Sequence, residues 1–274
     1  MTTILLDRPQ RAAAPIASAV RKRAAAPSLL TARDLTVRFG DFEALRGVSI
    51  DLDARSIHAV IGPNGAGKTT LFNVISGFMK PTAGQVRLNG VDVTAVSPNR
   101  LARLGLARSF QICSIFPNLS VADNIRTALA LNVRGLQLLR GRSRQDETEA
   151  RVGHLLDQGG LTDESERRAA DLPYGRRRLL EIVTTIAIAP KFLLLDEPTA
   201  GLAREDIAPV ADLIKMVAAT CGVLLVEHNL QVVKSLAAQV TVLAEGSVLC
   251  EGSYDDVARD PRVINAYIGA ERRA

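Results

Sequence analysis

The chain has 274 residues, of which 47% are hydrophobic and 23% charged, and its formal net charge is +5. This composition is that of a folded globular chain, and it excludes whole-chain disorder and a collagen-like repeat. Residues 1–28 hold five basic residues against one acidic residue, a net of +4, which leaves +1 for the other 246 residues. The nearly neutral body therefore does not predict a nucleic-acid-binding surface.

The amino-terminal residues 1–28 are rich in alanine, proline and arginine, which predicts a flexible basic extension. We interpret it as a solvated tail, with an electrostatic tether to anionic lipid as the alternative. The order of its basic and apolar residues is not that of a signal peptide, and no apolar run reaches 18 residues. Three widely spaced cysteines exclude a fully paired disulfide framework and favour a reducing compartment such as the cytosol.

Alternating and continuous apolar runs predict strands that alternate with helices. In chain order we predict strands at 35–40, 47–53 and 56–62, a helix at 71–79, a hairpin at 85–93 with its turn at Asn89-Gly90, a mainly helical region from about 95 to 190, a strand at 192–196, a helix at 205–220, a strand at 222–228 and a hairpin at 240–252. This order favours an α/β fold with a largely parallel sheet covered on both faces. Ligands of such sheets bind beyond the carboxyl ends of the strands.

A phosphate-binding loop is the strongest motif, because GPNGAGKT at 62–69 matches GxxxxGK[ST] between a buried strand and a helix. Glycines let the backbone N–H groups curl around phosphate oxygens, and the helix dipole points its positive end at the same anion. Lys68 is expected to reach the β- and γ-phosphates, and the Thr69 hydroxyl to bind Mg²⁺. The predicted ATP-binding segment comprises Gly62, Pro63, Asn64, Gly65, Ala66, Gly67, Lys68, Thr69 and Thr70.

Polar residues also follow two later apolar strands. Asp196 ends the strand FLLLD and suits the Walker B role of holding Mg²⁺, while Glu197 beside it suits activation of the attacking water. His228 ends the next apolar strand and is a candidate donor to the γ-phosphate region. Gln111 is uninformative alone. Phe39 could stack on adenine or belong to the core, and its spacing in an apolar strand favours the core.

The set of motifs resembles the ATPase subunit of ABC transporters over roughly residues 30–270. GPNGAGKTT, the FQ at 110–111, LPYGRRRLLEI at 172–182, LLLDEPTAGL at 193–202 and VEHN at 226–229 stand in the order of that family. The form LPYG, the string FQICSIFPNLSVADNI and the ending EGSYDDVARDPRVINAYIG make the subunits for uptake of branched-chain amino acids and related amides the most similar group. A lipopolysaccharide-export ATPase shares part of these strings.

The resemblance implies a P-loop ABC ATPase domain over 29–274, with a mainly parallel core sheet, an amino-terminal antiparallel β subdomain and a helical subdomain inserted at about 95–190. It implies that two such subunits bind head to tail, as a homodimer or heterodimer, on permease subunits at the cytoplasmic face of the inner membrane. It further implies the following roles: Glu197 is the catalytic carboxylate, His228 the switch, Gln111 both the link to the permease and a ligand of Mg²⁺ at the catalytic site, Phe39 the adenine platform, and Tyr174, Gly175 and Arg176 the contacts to ATP across the dimer.

The signature segment departs from the family pattern of LSGGQ or LSYGQ. Pro173 stands at the serine position, Arg176 at the glutamine position, and Ala203 where the family carries aspartate or asparagine. Proline is acceptable at a helix start, and the Arg176 charge is able to contact phosphate. Because the phosphate loop and Glu197 are intact, we hypothesise pairing with a different ATPase, in which the site that uses LPYGR is the weaker one.

Two alternatives belong to other functional classes. A soluble ABC ATPase that acts on nucleic acid or ribosomes usually carries two ATPase domains or a long coiled coil, and this sequence predicts one domain and no sustained heptads. A nucleotide-binding regulator without turnover fits the altered signature but not the intact Glu197 and His228. The sequence therefore favours a transport ATPase that uses ATP and Mg²⁺.

Overall fold

The computed structural model describes residues 30–109, 115–132 and 142–271. In chain order the elements are β1 (Leu30–Phe39), β2 (Phe42–Leu52), β3 (Ile57–Ile61), α1 (Lys68–Ile75), β4 (Ala83–Leu88), β5 (Val91–Asp92), α2 (Pro98–Leu104), β6 (Leu106–Arg108), α3 (Val121–Asn132), α4 (Arg142–Gln158), α5 (Tyr174–Ala187), β7 (Phe192–Asp196), α6 (Arg204–Ala218), β8 (Gly222–Val226), α7 (Leu230–Leu236), β9 (Gln239–Ala244), β10 (Ser247–Gly252), α8 (Tyr254–Ala258) and α9 (Pro261–Glu271). Two short 3-10 helices, Thr162–Glu164 and Ala169–Asp171, precede α5. The predicted extension at 1–28 lies outside the described residues.

The amino-terminal strands form an antiparallel sheet in the order β2-β1-β4-β5. The predicted β4–β5 hairpin is confirmed, with Asn89 (φ 51°) and Gly90 (φ 79°) both in the left-handed conformation that a tight two-residue turn requires. β1 and β2 are longer than predicted. Their register shifts between the pairs Leu35–Val48 and Val37–Leu45, so a bulge in β2 breaks the strict alternation by which a strand is recognised in sequence.

The second sheet has six strands in the order β10-β9-β3-β8-β7-β6. The pairs β3–β8, β3–β9, β7–β8 and β6–β7 are parallel, and only β10 runs antiparallel, at the edge. The predicted, mainly parallel core sheet is therefore confirmed. β6 was not predicted, because its three residues fall inside the region expected to be helical and are too few to show a period.

The core lies on both faces of the six-stranded sheet. Along β7, Leu193 and Leu195 pack into a cluster with the helices α3 to α6, whereas Phe192 and Leu194 pack into a cluster with α1 and the antiparallel sheet. Burial on both faces explains why the strands read as continuous apolar runs. Parallel strands bring their carboxyl ends to one edge, so the segments after β3, β7 and β8 emerge together.

The helices differ from the predictions mainly at their ends. α1 begins at Lys68, where the phosphate-loop motif places it, but ends before the apolar run does. Ser76 forms its carboxyl-terminal cap, and the Ser76 hydroxyl donates to the carbonyl of Phe72 (2.5 Å). Of the helices in the described part of the chain, none is long and apolar enough to span a bilayer.

Candidate active site

The loop at 62–69 connects β3 to α1 at the carboxyl-end edge of the six-stranded sheet. Gly62 has a φ of 153°, and a Cβ atom there would lie 2.2 Å from the carbonyl oxygen of Leu243 in β9. Only glycine fits so close to a neighbouring backbone. The N–H of Gly246 donates to the carbonyl of Ala66 (3.1 Å), which ties the loop to the β9–β10 turn. The neighbouring strand thus preorganises the loop backbone for an anion.

Lys68 lies across this loop. Its side chain is buried, and Nζ donates to the carbonyl oxygens of Gly62 (2.7 Å) and Pro63 (3.0 Å). Burial lowers the pKa of Lys68, while the charges of Glu197 and Asp196 act in the opposite direction. The ammonium group therefore lies at the loop that precedes α1, and the positive end of the α1 dipole also favours an anion there.

Thr69 and Asp196 supply hard oxygen atoms at this edge. Thr69 is exposed at the start of α1, and Asp196 ends β7, which one strand separates from β3. In the residues described, no three His, Cys, Asp or Glu side chains converge as a metal cluster. A hydroxyl and a single carboxylate nevertheless suit Mg²⁺, which protein sites usually bind through one or two carboxylates together with substrate phosphates.

Arg108, at the end of β6, forms a buried ion pair with Asp196. Its Nη2 lies 2.9 Å from Asp196 Oδ2, and its Nη1 donates to Asn73 Oδ1 (2.8 Å) and Ser76 Oγ (3.1 Å). The guanidinium carbon lies 5.8 Å from the centre of the Phe72 ring. Sequence analysis missed Arg108, because 88 residues separate it from its partner and a single arginine before FQ carries no signal.

Glu197 and His228 are in direct contact. Glu197 Oε1 lies 2.5 Å from His228 Nε2, and both side chains are partly open to solvent. Glu197 adopts a φ of 48°, which is uncommon for a residue with a side chain, and its N–H donates to the carbonyl of Val226 (2.9 Å). Strained backbone of this kind is concentrated at functional sites. The predicted carboxylate and histidine are thus brought together by β7 and β8.

The aromatic residue Phe39 is 51% exposed. The placement of Phe39 in the core, favoured by its strand position, is therefore wrong. Phe39 pairs with Phe42 across the turn that joins β1 to β2. A Cβ atom on Gly67 would lie 2.7 Å from the carbonyl oxygen of Ala44, so β2 passes directly over the phosphate loop.

The signature segment begins α5, with Pro173 as the amino-terminal cap, so the helix forms despite the proline, as expected. The exposed Tyr174 donates from its hydroxyl to the carbonyl of Ala200 (3.3 Å). Gly175 faces the carboxylate of Asp206, and a Cβ atom at this position would have to displace that carboxylate. The guanidinium of Arg176 pairs with the carboxylate of Glu164. This ion pair neutralises the positive charge that was predicted to contact phosphate.

One predicted residue and one that was missed complete the site. Gln111 lies outside the described residues. Glu227, which precedes His228, is a buried carboxylate that sequence analysis passed over. A charged residue in the string LLVEH is the signal that could have identified it, because a carboxylate at the end of a buried strand requires partners.

Comparison with known proteins gives the family. The model of the family described as "ABC transporter" matches residues 45–200, and that of "Branched-chain amino acid ATP-binding cassette transporter" matches residues 247–273. The chain is 34% identical over 249 residues to the high-affinity branched-chain amino acid transport ATP-binding protein BraF of Pseudomonas aeruginosa, covering 88% of this chain and 98% of BraF. It is 33% identical to LivG of Escherichia coli K12, a protein of the same description, with the same coverage.

A solved structure supports the same family assignment. MJ1267, an ATP-binding cassette of an ABC transporter, superimposes in its ADP conformation with a TM-score of 0.76 and 28% identity, covering 88% of this chain and 98% of MJ1267. The family match spans more than half of the chain, and the fold and the phosphate loop agree with it. The chain belongs to the ABC-transporter family, as an ATP-binding subunit that hydrolyses ATP.

Proposed function

We propose that Glu197 is the catalytic carboxylate and His228 the switch residue of ATP hydrolysis in this chain. The observation that carries the proposal is their 2.5 Å contact at the edge of the sheet that holds the phosphate loop. A carboxylate held there is able to orient and deprotonate a water molecule beside the γ-phosphate. His228 fixes that carboxylate and presents a ring nitrogen to the same region.

The phosphates of ATP bind to the loop at 62–70. Backbone N–H groups and Lys68 compensate the phosphate charge, and Gly62 lets the loop pass close to the backbone of β9. Thr69, Asp196 and Gln111 would hold Mg²⁺, which would supply positive charge to compensate the phosphates. Phe39, exposed at the turn between β1 and β2, stacks on the adenine ring.

A second ATPase subunit completes the site. Tyr174, Gly175 and Arg176 form the surface that meets the ATP of the partner subunit. Tyr174 is exposed, which supports a contact of the tyrosine with the partner's ATP. Arg176 contacts phosphate only if its ion pair with Glu164 breaks. The partner is a different ATPase rather than a second copy, because the departures from the family pattern fall on the signature and spare the phosphate loop.

The assembled protein is peripheral, bound to permease subunits at the cytoplasmic face of the inner membrane. It energises the uptake of branched-chain amino acids or related amides. BraF and LivG are branched-chain amino acid transport proteins by description. The second family model, whose description also names branched-chain amino acids, matches the carboxyl-terminal residues 247–273. Both findings support this substrate class.

The test is Glu197→Gln in the transporter reconstituted with its permease and partner ATPase in proteoliposomes. The substitution keeps shape and removes the charge, so we expect ATP binding to persist while hydrolysis and transport fall about 100-fold or more. Glu147→Gln, on the exposed surface of α4, is the matched control and should behave as wild type. Hydrolysis by Glu197→Gln at the wild-type rate would contradict the assignment.

A further inference from the structure

Glu227 is a buried carboxylate between two loops of the active site. It follows β8 and is 3% exposed. Its Oε1 atom accepts hydrogen bonds from the backbone N–H of Thr199 (2.9 Å) and from the Thr199 hydroxyl (2.6 Å). Its Oε2 atom accepts from the N–H groups of His228 (3.1 Å) and Asn229 (3.3 Å). Four donors therefore surround one carboxylate, two from each loop.

The two loops carry the catalytic pair. Thr199 is two residues beyond Glu197, and His228 is adjacent to Glu227 in the chain. The hydrogen bonds of Glu227 thus hold the segment that follows Glu197 and the backbone of His228 in place relative to each other. An ionised acceptor of this kind makes stronger hydrogen bonds than a neutral one, and it is costly to leave unpaired when buried.

The segment at 196–200 is held on its other side by α5. The buried Arg178 donates to the carbonyl oxygen of Pro198 (3.0 Å) and to that of Glu197 (3.3 Å). Tyr174, in the signature segment, donates to the carbonyl of Ala200. A movement of α5 would therefore displace this segment. Besides the contact of the Glu197 side chain with the His228 ring, Glu227 connects the segment to the backbone of His228 through hydrogen bonds.

We propose that Glu227 is a positioning residue, which couples the segment at 196–200 to His228 and so aligns His228 on Glu197 for hydrolysis. The inference rests on the proposed roles of Glu197 and His228. Glu227 itself is buried between the two loops and does not touch the reacting atoms. Its removal should therefore slow turnover without weakening the binding of ATP.

The experiment uses Glu227→Gln in the reconstituted transporter. The amide keeps the shape but turns one acceptor into a donor, which then faces the N–H groups of one loop. We expect kcat to fall about 10-fold while KM for ATP stays within about twofold. A folded Glu227→Gln variant with wild-type kcat, or with kcat unchanged and KM raised, would overturn the proposal.

Thr199 provides a second and gentler test, which also decides the matter if Glu227→Gln does not fold. Thr199→Val removes the hydroxyl donor and should lower kcat, whereas Thr199→Ser retains the donor and should restore most of it. Thr220→Val, at an exposed threonine after α6, is the matched control. Equal kcat values for the valine and serine variants would contradict the coupling.

A double-substitution cycle separates coupling from general damage. If Thr199 acts through Glu227, the double variant Glu227→Gln/Thr199→Val should lose no more activity than the worse single variant. Losses that multiply would show independent effects and overturn the coupling. Glu197→Gln is measured in parallel. If that variant hydrolyses normally, the proposed function fails, whereas an inactive Glu197→Gln beside a normal Glu227→Gln overturns the positioning role alone.

Discussion

Arg108→Met tests whether the buried ion pair with Asp196 holds the active site together. Arg108 is 5% exposed and donates to the side chains of Asn73 in α1, of Ser76 at its carboxyl-terminal cap and of Asp196 in β7. Its Nε atom is buried without a hydrogen-bond partner among the described residues. Methionine has a similar length and keeps the contact to Phe72, so the substitution removes the charge and the hydrogen bonds with little loss of volume.

The expected cost follows from the position of Asp196. Breaking a buried pair by removing one partner costs about 3–5 kcal/mol, because a charge remains buried without compensation. The Asp196 side chain is 20% exposed, so water relieves part of this penalty and we expect a loss of about 3 kcal/mol. Removing the remaining charge as well, in Arg108→Met/Asp196→Asn, should recover part of that loss.

The assay is urea unfolding of the purified full chain, followed by circular dichroism. Arg38→Met is the matched control, because Arg38 forms an ion pair with Glu43 that is largely exposed and should contribute only about 0.5 kcal/mol. Equal unfolding free energies for Arg108→Met and Arg38→Met would refute the reasoning. So would a double variant less stable than Arg108→Met alone, because the cost would then not arise from the orphaned carboxylate.

Three further predictions concern the phosphate loop, the sheet and the signature. Gly62→Ala places a methyl group against the backbone of Leu243, so ATP affinity, measured with a fluorescent analogue, should fall far more than in Gly153→Ala, an exposed position in α4 whose Cβ meets open space. Equal affinities of the two variants would contradict this. His58 is buried between the carbonyl of Asp51 and the hydroxyl of Thr241, and burial holds its pKa below the ordinary value of about 6.5. His58 therefore takes up a proton more readily in the unfolded chain than in the folded one. The free energy of unfolding should fall by up to about 1.4 kcal/mol between pH 7.5 and pH 5.5. His58→Gln should lack this fall when urea unfolding is measured as a function of pH. Burial raises the pKa of Glu251, which increases the free energy of unfolding as the pH falls, and this contribution is the same in the wild type and the variant. Finally, Pro173→Ser/Arg176→Gln should raise hydrolysis by the reconstituted transporter if the LPYGR site is impaired, and an unchanged rate would make these departures neutral.

The elements with strong local signals could be predicted from the sequence. The strand at 192–196 and the hairpin at 85–93 are where the apolar pattern and the Asn89-Gly90 turn place them. The phosphate loop is equally local, because its glycines and Lys68 act on the backbone of the same eight residues. β6 escaped prediction, since three residues carry no period. Gln111 stays a prediction, because it lies outside the described residues.

The contacts between distant segments were decided by the tertiary structure. Arg108 reaches Asp196 because β6 and β7 are adjacent parallel strands, and Glu227 reaches Thr199 because β7 and β8 end at the same edge. The exposure of Phe39 and the pairing of Arg176 with Glu164 depend in the same way on what packs beside them. By itself the sequence determined which residues can bind a phosphate, because that chemistry is local. Only the fold decided which charges compensate one another, because compensation depends on distance through space.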